Sequence, residues 1–252
     1  MQLNMNYPVE FESKRTVGLW GLIGMGGVVW FFSSIIVVAI LKPSFPPKEW
    51  EDVYILGAKL LQALCLVSFI AVIGINIPVV VHNWLKQWRE HLRVVAKYFG
   101  IYAGVLAGVV AVGGIILVLL EKTGRIDPGV VKAIDEAAEA NDKILYLKRM
   151  FQASVPRFIL SLGTMCVLAP IIEEIFFRRF LFVALRKRIN FVWALVISAA
   201  LFTIVHSNIA LGAIGGIYLG YVYEKGKSLP ANILIHGMAN FTVTVVSMMV
   251  RQ

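Results

Sequence analysis

Long apolar stretches separated by short polar ones run along most of this 252-residue chain. A helix needs about 20 apolar residues to cross a hydrocarbon core roughly 30 Å thick. Seven stretches reach or approach that length, at roughly residues 19–41, 57–81, 98–120, 157–182, 191–206, 209–224 and 230–250. Within lipid, a helix satisfies its own backbone hydrogen bonds. The pattern therefore predicts an all-α, polytopic membrane bundle with about seven transmembrane helices.

One long polar segment, residues 121–150, separates the third apolar stretch from the fourth. It divides the chain into residues 1–150, with three predicted spans and this connection, and residues 151–252, with the other four. The helical spacing of apolar residues over 130–150 indicates either an amphipathic helix at the membrane surface or a solvated helix. Both interpretations stay open.

The composition agrees with a membrane protein. Hydrophobic residues make up 59% of the chain and charged residues only 15%, against about a quarter in soluble domains. The first stretch, 19–41, is longer than the roughly 7–15 apolar residues of a signal peptide, so we expect it to stay as a membrane anchor. Cys65 and Cys166 both lie in apolar stretches, which indicates small core residues rather than a disulfide or a metal cluster.

The net charge of +9 raises the question of nucleic-acid binding. The basic residues, however, are found in short segments beside the spans, at 82–97, 186–190 and 224–228. With seven spans these segments share one side of the membrane, which the positive-inside rule makes cytoplasmic. We therefore predict a multi-pass plasma-membrane protein with a cytoplasmic N-terminus and an outside C-terminus. Its basic residues then contact the lipid bilayer, and no nucleic acid is bound.

Ionisable side chains inside a span cost about 3 kcal/mol on insertion scales, so they usually face a cavity or a partner. After the polar connection these candidates are few: Glu173, Glu174, Arg178, His206, His236 and the amide Asn240. Glu174 and Arg178 are four residues apart, which predicts an ion pair on one helix face. Glu173 is rotated from that face by about 100°, misses the arginine and is left without a local counter-charge. A carboxylate without a counter-charge in a low-dielectric site can serve as a general base.

Glu173 and His206 lie about equally far, in opposite directions along the chain, from the basic turn near Ile189 and Asn190. In an antiparallel helix pair they would therefore reach a similar depth. A carboxylate and an imidazole that meet in a membrane cavity can hold and deprotonate one water molecule. This spacing predicts a paired site on two neighbouring helices.

His236 and Asn240 are also four residues apart and share one helix face. Both side chains can donate hydrogen bonds, as an oxyanion hole requires. Phe202 precedes His206 by one helical turn. It either fixes the imidazole ring, lines the cavity or simply packs, and these interpretations stay open.

Three short motifs give a family resemblance: "EEIFFR" (173–178), "FTIVH" (202–206) and "HGMAN" (236–240). In order and spacing they resemble the EExxxR, FxxxH and HxxxN/D motifs of the CPBP family, also called ABI. That family comprises CaaX prenyl endopeptidases of the Rce1 type and bacteriocin-processing or immunity proteins. The resemblance covers about residues 155–247 and implies a glutamate-type intramembrane endopeptidase with its catalytic core in residues 151–252.

The resemblance also implies a role for each motif residue. Glu173 with His206 would activate the attacking water, and His236 with Asn240 would form the oxyanion hole. The supporting residues of the site would be Glu174, Arg178 and Phe202. No cofactor or metal is implied. The expected substrate is a membrane-associated peptide or a protein C-terminal tail, prenylated or not, cleaved from a cavity that opens to the cytoplasmic side.

Three alternatives stay open. Glu173, His206 and His236 could instead bind zinc in a metal-dependent protease, although Asn240 would then have no role. A proton-coupled transporter also uses buried Glu, His and Arg, but the ionisable residues crowd into one half and no repeat is visible. A non-catalytic binding or bacteriocin-immunity protein of this fold would not need all four catalytic candidates.

Overall fold

A computed structural model gives the fold and describes residues 17–41, 50–125, 129, 154–206 and 208–249. Within these ranges every regular element is a helix and no strand occurs. The prediction of an all-α protein is confirmed for this part of the chain. The predicted surface helix over 130–150 lies outside the described residues.

Four helices form the described part of the N-terminal half. Helix α1 consists of Leu19–Gly27, a π-helical turn Val28–Phe32, and Ser33–Leu41. It is followed by α2 (Trp50–Val72), α3 (Ile77–Lys86) and α4 (Trp88–Lys122).

Four further helices form the C-terminal half. Helix α5 runs over Val155–Arg186 and contains π-helical turns at Thr164–Leu168 and Ile175–Phe182. It is followed by α6 (Phe191–Ile204), α7 (Ile209–Gly226) and α8 (Leu229–Met249). These helices agree closely with the last four predicted spans.

The second predicted span, 57–81, is wrong as one continuous helix. Helix α2 begins earlier, at Trp50, and ends at Val72. Gly74 then adopts a positive φ of 79°, a conformation that glycine reaches without steric cost. The Asn76 side chain accepts a hydrogen bond from the Val79 backbone N–H and starts the separate helix α3. The basic segment 82–97 is also mostly helical, because it contains the end of α3 and the start of α4.

Within the part of the chain that the structure describes, four helical segments are long and apolar enough to cross a membrane: Leu19–Ile40, Tyr54–Val72, Trp88–Gly113 and Val155–Arg186. The apolar helix α6 is shorter, at 14 residues. Large apolar side chains such as Trp20, Ile159 and Ile209 point outward, whereas Glu174, Arg178 and Asn232 are fully buried. Apolar groups outside and ion pairs inside are the arrangement expected of a bundle in lipid.

Helices α6 and α7 form a tight antiparallel hairpin. A Cβ on Gly216 would lie 3.0 Å from the Cα of Ala199, and one on Gly212 would lie 3.2 Å from the Cα of Thr203. The glycines therefore let the two backbones approach, as small residues do in membrane helix pairs. The connection that follows α6 contains His206.

The three basic segments lie at one end of the bundle. Arg186 Nη2 is 3.0 Å from Glu224 Oε1, which joins segments 186–190 and 224–228. The Ser228 hydroxyl is 2.8 Å from His91 Nδ1, which brings in segment 82–97. The prediction that they share one side agrees with these contacts; that this side is cytoplasmic stays a prediction.

Candidate active site

Helix α5 carries the two adjacent glutamates and the arginine into the interior. Only 5% of the Glu173 surface is exposed, while Glu174 and Arg178 are completely buried. The glutamates end an α-helical segment, Ala169–Glu174, and the helix widens into π-helical turns directly afterwards. Such turns re-aim side chains within a helix and recur at functional sites.

Glu174 has three hydrogen-bond donors around its carboxylate. Its Oε2 accepts from Arg178 Nε at 3.0 Å and from Asn232 Nδ2 at 2.9 Å. Its Oε1 lies 3.0 Å from His236 Nδ1. The contact with Arg178 is the one that the four-residue spacing predicts. The other two contacts tie α5 to α8, so Glu174 holds the two helices together.

Phe202 lies between the ion pair and His206. The Arg178 guanidinium is 4.8 Å from the centre of the Phe202 ring, and the His206 ring stacks on the same phenyl group with a centroid separation of 4.2 Å. His206 Nδ1 is 2.7 Å from the Phe202 carbonyl oxygen. Because a carbonyl oxygen only accepts, Nδ1 carries a proton and Nε2 is directed elsewhere. Phe202 therefore fixes the imidazole through both its ring and its backbone.

Glu173 faces both histidines and a lysine. Its Oε2 is 3.5 Å from His206 Nε2 and 3.8 Å from His236 Nε2. Its Oε1 is 2.8 Å from Nζ of Lys59, a residue of α2. The expectation that Glu173 has no counter-charge is therefore wrong, because the counter-charge comes from another helix. The expected meeting of Glu173 and His206 at one depth is present.

Asn240 occupies a different environment from the other three catalytic candidates. Its Nδ2 donates to the Met165 carbonyl oxygen at 2.9 Å, in the first π-helical turn of α5. Asn240 lies one turn after His236 on α8, and its hydrogen bond goes to Met165 rather than to Glu173. Its role in an oxyanion hole stays a prediction.

Two residues that contact the glutamates, Lys59 and Asn232, are not among the site residues predicted from the sequence. Lys59 lies in the N-terminal half of the chain and contacts Glu173. It is the only Asp, Glu, Lys or Arg between Tyr54 and Val72, and this isolated charge in an apolar helix could have identified it from the sequence. Asn232 precedes His236 by four residues and is fully buried, with Nδ2 bonded to both Glu174 and the Leu219 carbonyl. Asn232, His236 and Asn240 are spaced by four residues on α8, and this spacing could have identified Asn232 from the sequence.

The described residues contain no group of three or more His, Cys, Asp or Glu arranged to bind a metal ion. Cys65 and Cys166 are both free thiols. Next to the site, a Cβ on Gly237 would lie 2.3 Å from the Cys166 carbonyl oxygen, so α8 packs directly on the backbone of α5. This close contact sets the position of His236.

Comparison with known protein families shows what this part of the chain resembles. Residues 155–242 match the family model described as "Rce1-like: Type II CAAX prenyl endopeptidase Rce1-like". These residues, which we call the Rce1-like region, are therefore similar to the Rce1-like family. All seven predicted site residues and Asn232 fall inside the Rce1-like region, whereas Lys59 lies outside it.

The chain also resembles a curated protein of Bacillus subtilis (strain 168), named "Putative membrane peptidase YdiL". The two are 33% identical over 85 residues, which are 32% of this chain and 35% of that protein. The alignment thus spans about a third of the relative's length. No solved structure gives a significant match.

Proposed function

We propose that this protein is an intramembrane endopeptidase in which Glu173 and His206 activate a water molecule to attack a peptide bond. The Rce1-like family and the name of the Bacillus subtilis relative support a membrane protease. The observation that carries the mechanism is the convergence of Glu173 Oε2 and His206 Nε2, 3.5 Å apart inside an apolar bundle.

The protonation of His206 favours water binding at this point. With the Nδ1 proton donated to the Phe202 carbonyl, the neutral ring presents an acceptor at Nε2. A carboxylate oxygen is also an acceptor, so a water molecule that donates one O–H to each satisfies both. Transfer of a water proton to Glu173 lets the water oxygen bond to the substrate carbonyl carbon. The peptide C–N bond then breaks as Glu173 passes the same proton to the leaving amine nitrogen.

The oxyanion is assigned to His236 and Asn240. His236 Nδ1 is fixed by Glu174, which directs Nε2 to the side of Glu173 where the substrate carbonyl has to lie. The ring donates from Nε2 once it has taken up a second proton, so this role belongs to its cationic form. Asn240 carries two N–H groups on Nδ2, and its bond to Met165 uses one of them. Donors fixed in this way stabilise the charge that develops on the carbonyl oxygen.

Lys59 supports a metal-independent mechanism. Its ammonium group lies 2.8 Å from Glu173 Oε1 and places a positive charge beside the carboxylate that a zinc ion would need. At close range in a low-dielectric interior, two like charges repel strongly. This contact therefore favours the water mechanism over the zinc alternative.

The proposed substrate is a membrane-associated peptide or a protein C-terminal tail, prenylated or not, that enters from the basic end. A cavity of about 150 Å³ lies at that end, between the start of α4 and the α7–α8 connection, and Arg179 and His91 are among its lining residues. Arg179 follows Glu173 by six residues, about 9 Å along the helix axis. A polar tail bound there would lie within a few residues of the reacting groups.

Comparison of protein termini in two cell populations tests the function. One population carries the native protein and the other Glu173→Gln, which keeps the size and hydrogen bonding of the side chain but removes the base. We expect new termini only with the native protein, at equal amounts of folded protein in both membranes. Identical termini in the two populations would favour a non-catalytic binding or immunity protein.

A further inference from the structure

Lys59 links the N-terminal half of the chain to the catalytic residues. It lies on α2, outside the Rce1-like region, yet its Nζ forms an ion pair with Glu173 Oε1 at 2.8 Å. We propose that Lys59 is a positioning residue of the active site, which holds the Glu173 carboxylate in its working orientation and balances its charge. This inference rests on the proposed function and extends it to a second part of the chain.

The two oxygens of Glu173 have different partners. Lys59 holds Oε1, while Oε2 faces His206 at 3.5 Å and His236 at 3.8 Å. Rotation of the carboxylate about its terminal bond would break the short contact with Lys59. The ammonium group therefore keeps Oε2 on the side of the histidines, where the water is proposed to bind. Without it, only the two longer contacts would orient the base.

The charges at the site also require a second cation. Glu173 and Glu174 are adjacent and buried, and Arg178 is bonded to Glu174. While both histidines are neutral, before His236 takes up the second proton that its oxyanion role needs, Lys59 makes the sum of these four charges zero. Removal of the lysine leaves one uncompensated carboxylate in a low-dielectric interior, which is strongly unfavourable. The site then relaxes by rotation of Glu173 or by protonation of its carboxylate, and either change removes the base that takes the proton of the water molecule.

The location of Lys59 inside an apolar helix supports a functional role for this residue. A lysine inside a membrane helix costs about 3 kcal/mol on insertion scales, and the rest of Tyr54–Val72 contains no Asp, Glu, Lys or Arg. The side chains of Lys59 and His206 are 20% and 22% exposed, whereas the side chains of Glu173 and His236 are each only 7% exposed. Lys59 therefore lies on the more open side of the cluster, next to the base.

The test compares purified full-length Lys59→Met and Lys59→Arg proteins. Turnover is measured with a quenched fluorescent peptide copied from a cleavage site that the terminus comparison identifies. We expect kcat to fall about 100-fold in Lys59→Met with KM within about twofold, since small misplacements of a catalytic group cost about that factor. Lys59→Arg keeps the charge and should return to within about tenfold of native. Lys86→Met, at an exposed lysine on α3, is the matched control and should be unchanged.

A native kcat in Lys59→Met would overturn the proposal. Equal losses in the Met and Arg variants, accompanied by equal losses of melting temperature, would reduce Lys59 to a structural residue and would also overturn it.

A second measurement does not depend on the proposed function. Melting temperatures of Lys59→Met, Glu173→Gln and the double variant should be non-additive, because contacting residues couple. Additive shifts overturn the Lys59 assignment whatever the activity. Turnover by Glu173→Gln alongside non-additive shifts contradicts the proposed base, so the two failures are distinguishable.

Discussion

Glu173 and Glu174 are adjacent in the sequence, but their carboxylates have different hydrogen-bond partners. Glu174 is fully buried and has donors from Arg178, Asn232 and His236, whereas the Oε2 of Glu173 has only longer contacts to two histidines. The rotation of about 100° between successive helical residues separates the two faces. One carboxylate thus has a donor for each of its hydrogen-bond contacts, as the proposed structural role requires, and its neighbour keeps an oxygen available for the proposed reaction.

Replacement of Glu174 by Gln should lower stability rather than act on the chemistry directly. Arg178 would remain buried without its charge partner, and breaking a buried pair in this way costs about 3–5 kcal/mol. We expect a clear fall in melting temperature, or lower expression, measured on protein in detergent. Glu90→Gln removes an exposed carboxylate and should leave the melting temperature unchanged. If Glu174→Gln melts like the native protein, the structural role is wrong.

At the scale of helices, the contact between α5 and α8 sets the position of His236. Gly237 follows that histidine and faces the carbonyl of Cys166 in α5, with no room for a Cβ. The carbonyl lies in the π-helical turn Thr164–Leu168, which also accepts the hydrogen bond from Asn240 at Met165. The π-helical turn and the glycine together bring the HGMAN motif against α5.

Gly237→Ala should separate α5 from α8 and displace His236. The added methyl group would lie 2.3 Å from a backbone atom, which cannot move aside as a flexible side chain does. We expect a lower melting temperature and a loss of peptide cleavage larger than the loss of folded protein. In α4, Gly104 has open space around it, and there alanine should be neutral or stabilising by up to about 1 kcal/mol. Native cleavage and stability in Gly237→Ala would contradict the close contact.

At the scale of the whole molecule, the contacts of Arg186 with Glu224 and of His91 with Ser228 gather the basic segments at one end. Helix α4 leads from this end to Thr123 at the other. The positive-inside rule predicts that the basic end is cytoplasmic.

Cysteine labelling tests this orientation. In a protein without Cys65 and Cys166, a membrane-impermeant thiol reagent should label Lys187→Cys in inside-out vesicles only. It should label Thr123→Cys in right-side-out vesicles only. Both positions are exposed, so access depends on the side of the membrane. The reverse pattern would place the basic end outside.

The sequence by itself determined the features that depend on local spacing. Apolar stretches of span length gave the helices of the C-terminal half, because in lipid every backbone group must be paired within its own helix. The four-residue separation of Glu174 and Arg178 predicted their contact, and the turn near Asn190 predicted that Glu173 and His206 meet. Gly74 and Asn76 contained the signal for the break after α2, although the apolar run concealed it.

Tertiary structure alone decided which distant residues complete the site. Lys59 is 114 positions from Glu173, and no periodicity within a helix relates them. Which face of α2 packs against α5 depends on the side-chain fit of the whole bundle. Helix packing likewise decides that Asn232 bonds to Glu174 and that Asn240 bonds to the Met165 carbonyl. Spacing along one helix fixes a face and a depth, whereas the partner across the interface is fixed only when the helices pack.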